Sequence, residues 1–163
     1  MRATWAPRGR TPVIRHRFNW KRASIAAAIC YRPDASAARL AFAVHAGAYN
    51  DDALITFIAQ LRRHLRPDKA TLLWDGLPSH RSRKMKHFLR TQRHWLVVEA
   101  LPAYAPDLNP VEALWGNLKG TELANLTTET LDETIDATTA GFARVRHRPR
   151  LLFAFLHHSG LSL

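Results

Sequence analysis

Apolar positions along the chain change period several times, and each change marks an element. Ala23 to Tyr31 is small and apolar, and Arg32-Pro33-Asp34 is a turn. Leu40, Phe42 and Val44 then alternate with Ala41, Ala43 and His45. Period two on both sides of a turn predicts a β-hairpin. Leu54, Phe57, Ile58, Leu61 and Leu65 next fall on one helical face, after a capping Asn50 or Asp51 and before Pro67. Thr71 to Trp74 reads as a short buried strand ending at Asp75-Gly76, Ser82 to Gln92 as a basic amphipathic helix, and Trp95 to Val98 as another strand. Beyond the loop Pro102 to Asn109, the spacing of Val111, Leu114, Trp115 and Leu118 predicts a helix, with two more near Thr130 to Val145 and Leu151 to His157. The order predicts an α/β domain whose mixed sheet is covered by helices.

Segmentation follows the same pattern. Residues 1–22 form a basic arm, with Pro7, Gly9 and Pro12 among arginines and a short strand near Val13 to Phe18; 23–128 form the core; 129–163 hold C-terminal helices packed on it. At 163 residues and 47% hydrophobic content, one domain with a buried core is expected.

Charge adds a partner. The chain carries 24 Lys+Arg against 13 Asp+Glu, a net +11. The excess is clustered: eight Lys and Arg and no acid lie between Met1 and Pro33, and six more without a carboxylate lie between Arg81 and Arg93. Clustered cations point to a phosphate backbone, where arginine-rich composition alone would scatter them. Arg8, Arg10, His80, Arg81, Arg83, Lys84 and Lys119 are the candidate nucleic-acid contacts. The single Cys30 makes no internal disulfide, which fits a reducing cytoplasm, and no apolar run approaches the ~18 residues of a membrane span. His80, His87 and His94 recur every seven residues, two turns apart and too distant to share one ion. Trp5, Trp20 and Tyr104 read as packing aromatics, with base stacking the alternative.

Two carboxylates occupy positions where chemistry is done. Asp75 ends a strand, where crevices open in α/β sheets, although Asp-Gly-Leu-Pro is equally ordinary turn chemistry. Glu112 is the third residue of a helix opened by Asn109 and Pro110, so it can complete a capping box. It also falls beside the buried stripe, with Gly116 one turn on leaving room for a ligand. Lys119 lies two turns along the same side, as a phosphate contact or a solvated lysine.

The run Leu72-Leu73-Trp74-Asp75-Gly76-Leu77-Pro78-Ser79-His80-Arg81-Ser82, followed by Leu101-Pro102-Ala103-Tyr104-Ala105-Pro106-Asp107-Leu108-Asn109-Pro110-Val111-Glu112-Ala113-Leu114-Trp115, resembles mariner-superfamily insertion-sequence transposases of the DDE class. Trp5 to Pro12 and Tyr49 to Asp52 extend the likeness over nearly the whole chain. The resemblance implies an RNase H-like fold. It also implies three carboxylates holding two Mg²⁺ (or Mn²⁺) ions for cleavage and transfer of double-stranded DNA at element ends, with Asp75 and Glu112 as the second and third. The family's first aspartate lies upstream of the motif that starts here at Trp5, so the first ligand and its central strand are expected to be missing. Asp34, in a turn, and Asp51 and Asp52, at a helix start, do not replace it. The expectation is a truncated or frame-shifted piece, inactive alone, whose upstream partner fragment supplies that strand, working as a homodimer on DNA in a bacterial cytoplasm. The alternatives are a non-catalytic DNA-binding remnant, another RNase H-like nuclease acting on RNA or branched DNA, and an interaction protein without chemistry.

Overall fold

The computed structural model describes residues 7–10, 22–103, 105–128 and 130–163. The expected strand near Val13 to Phe18, and Trp5, Trp20 and Tyr104, lie outside them.

The hairpin forms as its alternation requires. β1 (Ala23–Tyr31) pairs antiparallel with β2 (Ala38–Ala46), in a register that sets Ile25 against Val44 and Ile29 against Leu40. Asp34 builds the turn, its Oδ1 accepting from the Ser36 amide at 3.0 Å and the Ser36 hydroxyl at 2.6 Å. α1 (Asp51–Leu65) starts at Asn50, whose side chain accepts from the Ala53 amide, and buries Phe57, Ile58 and Leu61. β3 (Ala70–Trp74) and β4 (Leu96–Ala100) run parallel, joined through α2 (Arg83–Thr91), which Ser82 caps. α3 (Pro110–Gly120), α4 (Leu131–Arg146) and α5 (Pro149–His158) complete the chain.

The strands do not make one sheet. Among the described residues β1 and β2 form one two-stranded sheet and β3 and β4 another, with no hydrogen bonds between the two. Isolated two-stranded ladders are marginal in water, so each depends on the helices packed against it. Two cores result. Leu40 of the hairpin packs with Leu114, Leu118, Phe142, Val145, Leu152 and Phe155 of the last three helices, and Phe42 stacks on Phe142 at 4.2 Å. The Tyr31 hydroxyl also donates to the Leu152 carbonyl at 2.8 Å. Ile58, Met85, Trp95 and Leu96 form the second core, between α1, α2 and the parallel pair. Among the described residues helices cover only one face of that pair. Leu72, Trp74 and Val98 turn inward to α1 and α2, while Leu73 and Val97 on the opposite face remain over half exposed.

α3 and α4 approach closely at a glycine. A Cβ on Gly141 would stand 2.6 Å from Leu118 Cδ2 and 2.9 Å from the Glu122 carboxylate. Beside that contact Arg144 donates to both Glu122 oxygens, to Asn117 Oδ1 at 2.6 Å and to Thr121 Oγ1 at 3.1 Å. The guanidinium holds the Glu122 carboxyl well below its usual range, at about 2.

Two consequences can be measured. Gly141→Ala overpacks the contact and is expected to lower unfolding free energy by about 1–3 kcal/mol in urea titration. Glu122→Gln is expected to cost about 2 kcal/mol at neutral pH through its charged hydrogen bonds. Because the folded carboxyl titrates below the unfolded one, that contribution is present above about pH 4.5 and disappears as pH falls toward 2. Melting curves of parent and variant should therefore converge in acid.

Candidate functional site

Trp74 closes β3, and the chain leaves the sheet at Asp75. The carboxylate does two things at once. Its Oδ1 accepts from the Leu77 amide at 3.2 Å, as the turn chemistry of Asp-Gly-Leu-Pro requires, and lies 2.9 Å from His80 Nδ1. The same nitrogen is 2.9 Å from the Asp75 carbonyl. Both partners are acceptors, so Nδ1 carries the proton and donates. The imidazole lies flat on the Trp74 indole, ring centres 4.2 Å apart and planes 3° from parallel. A short 3₁₀ turn, Pro78–Arg81, delivers it there. His80 is thus 12% exposed and Asp75 49% exposed, an open carboxylate oriented by a partly buried ring. His80 was expected to face a phosphate, and the structure places it behind Asp75.

Glu112 sits in the first turn of α3 and is exposed. The capping box does not form. A 3₁₀ turn over Pro106–Leu108 takes the Asn109 amide, which donates to the Pro106 carbonyl at 2.8 Å in place of the Glu112 carboxylate. Asn109 caps the helix by its own side chain, accepting from the Val111 amide at 3.2 Å. Glu112 instead lines an open cleft of about 790 Å³ between α3 and α5, shared with Asp107, Gly116, Asn117, His158 and Ser159. Gly116 borders the space as expected, since a Cβ there meets nothing within 4 Å.

The remaining candidates scatter. Asp75 does not line the Glu112 cleft, and neither does Lys119, which is exposed at the far end of α3. Lys84 is ion-paired with Asp52. Arg8, Arg10, Arg81 and Arg83 are exposed. Sequence reasoning missed Asp107 and His158 as neighbours of Glu112. Asp107 lay within the quoted loop and could have been found by its proximity in sequence, but His158 arrives from α5 by tertiary packing and carries no local signal.

Carboxylate oxygens are the donors Mg²⁺ and Mn²⁺ prefer. Two carboxylates in separate surroundings are nevertheless short of a complete binding set. Among the described residues no group of three or more His, Cys, Asp or Glu side chains is arranged to hold an ion.

With this geometry in view, comparison with known proteins identifies the lineage. The family described as DDE superfamily endonuclease matches residues 1–135. This chain belongs to that family. No curated protein sequence matches it. Among solved structures, the Mos1 strand transfer complex is similar at 19% identity and TM-score 0.58, covering 99% of this chain and 50% of that one. The Mos1 mariner paired end complex with Mn is similar at 18% identity and TM-score 0.55, covering 96% and 50%. The Mos1 transposase catalytic domain with raltegravir and Mg is similar at 18% identity and TM-score 0.51, covering 86% and 84%. The DDE chain therefore has the RNase H-like fold of a mariner transposase catalytic domain, and spans about half the length of the Mos1 chains in the two complexes.

The open border of the cleft gives a test on the fold alone. Gly116→Ala should leave thermal stability unchanged or raise it by up to about 1 kcal/mol from helix propensity, in contrast to Gly141→Ala. A large loss on melting would mean that the cleft is closed in solution.

Proposed function

We propose that this chain is the catalytic portion of a DNA transposase, contributing Asp75 and Glu112 as two of the three carboxylates for divalent-cation-dependent strand cleavage and strand transfer at element ends. The observation that carries this reading is the setting of Asp75. A half-exposed carboxylate at the end of a parallel strand, fixed by a histidine that is itself fixed on Trp74, is what orienting a metal ligand requires. A mere turn would need only the Leu77 amide. Family membership and the likeness to a strand transfer complex and to a catalytic domain with Mg support it.

Asp75, Glu112 and the third carboxylate would hold the divalent cations, whose chemistry would be to activate water or a 3′-hydroxyl and to stabilise the leaving oxygen of the phosphodiester. The chain's own part is to orient Asp75 through His80, to present Glu112 free of its helix cap beside an open cleft, and to meet duplex DNA with its cationic surface. The third carboxylate, on this reading, comes from outside the described residues, on a strand that pairs with ladder edges left open among them. On this reading the chain works as a homodimer on DNA, and one of the similar structures is a paired end complex.

A second reading is favoured by the absence of a complete ligand group among the described residues. In it the chain is a DNA-binding remnant without chemistry. The two separate on a supercoiled plasmid carrying the element ends, incubated with Mg²⁺, the chain and the upstream segment of its own locus. Nicking at the ends is expected with both polypeptides and not with this chain alone. Asp75→Asn or Glu112→Gln should each lower it at least about a hundredfold, and His80→Ala about 10–100-fold as an orienting residue. Binding without nicking, or nicking indifferent to both carboxylates, would leave the remnant.

A further inference from the structure

The cations on α2 are not distributed as they are elsewhere. α1, α3 and α4 each carry carboxylates among their cations, and α5 carries a single arginine. α2 has no acid at all, and buries Met85 while Phe88 and Leu89 pack against the same core. That fixes its rotation. Arg83, Lys86, His87 and Arg90 face outward and are exposed, with Arg81 before the helix and Arg93 after it. Among the described residues the one ion pair on α2 is Lys84 with Asp52, at the margin of this face. Arg83 and Lys84 moreover occupy the first helical turn, where the macrodipole opposes positive charge and the helix itself supplies no acid. An arginine-rich composition would place cations on every helix. It does not explain several exposed cations without any acid on one of them.

We propose that the outer face of α2 is a docking surface for the sugar-phosphate backbone of duplex DNA, at a place separate from Asp75 and Glu112, with Arg83, Lys86, Arg90 and Arg93 as its phosphate contacts. The surface deepens the reading of this chain as a DNA-acting protein. From Arg83 to Arg90 the helix advances about 10 Å at roughly 1.5 Å per residue. That spans about three phosphates of one strand at roughly 3.4 Å of axial rise each. The residues are long, flexible and unpaired with protein carboxylates among the described residues, so they are available for phosphate without first breaking ion pairs. No apolar side chain lies on the outward positions, so an acidic protein would find charge there but no anchor. The face specifies position along the backbone and carries no base readout.

The test uses the whole chain with a mixed-sequence 30-base-pair duplex in EDTA, so that it stands or falls independently of any strand-cleaving activity. Parent, a variant with Arg83, Lys86, Arg90 and Arg93 each changed to Gln, and a control with Arg63, Lys69, Arg148 and Arg150 changed to Gln are titrated across a salt series. The control removes the same charge from other surfaces. The expected result is a slope of log K against log salt that falls by about three to four in the α2 variant, at about 0.9 per lost contact, and by less than one in the control. Equal slopes in the two variants overturn the proposal, as does poly-glutamate competing for this face better than the duplex. Circular dichroism reports folding, and should the fourfold variant lose helix, Arg90→Glu alone is read the same way, with the parent slope retained as the contrary outcome.

Discussion

Backbone hydrogen bonding at the sheet edges is the constraint on which the rest of this molecule depends. An N–H or C=O on a strand edge must find a partner in protein or water. Among the described residues four strands make two ladders, and each ladder ends there after two strands. Helices compensate in part: α3, α4 and α5 clamp the hairpin through Phe142, Leu152 and Phe155, while α1 and α2 clamp the parallel pair through Ile58 and Met85. The Glu122–Arg144 network and the tight contact at Gly141 hold α3 against α4, and so hold the helix that bears Glu112. The proposed catalytic arrangement inherits this division. Asp75 belongs to the parallel pair and Glu112 to the helices of the hairpin layer, so whatever joins the ladders also sets the distance between the carboxylates.

Much of this was legible because local chemistry wrote it. Asn50, Ser82, Asn109 and Thr130 are side-chain caps that announce their helices, and each accepts a backbone amide as such residues do. Alternation in β1 and β2 named the hairpin, and a valine-rich run after a basic helix named β4. The motif around Asp75 and the loop into Glu112 carried the family, which the match over residues 1–135 establishes.

What stayed hidden was set by tertiary packing. Nothing in the spacing of His80 told that its ring would lie on Trp74 and donate to Asp75, since a basic neighbourhood suggested phosphate. The capping box at Glu112 looked available until the 3₁₀ turn over Pro106–Leu108 claimed the Asn109 amide. His158 joins Glu112 from a helix 46 positions along the chain, a neighbour that no local pattern encodes. Gly141 carries no local signal, and only the crossing of α3 and α4 gives it a reason.

The central claim is that Asp75 and Glu112 serve one divalent-cation centre completed by a strand from outside the described residues. Paramagnetic broadening of backbone amides by Mn²⁺, recorded on the labelled chain with and without the upstream segment, tests it most directly and needs no turnover. The account predicts weak, separate broadening at most for the chain alone, and joint broadening around Asp75 and Glu112 at one low Mn²⁺ concentration once the segment is bound. Broadening that reaches only one of the two carboxylates in the complex, or that centres elsewhere, would contradict it.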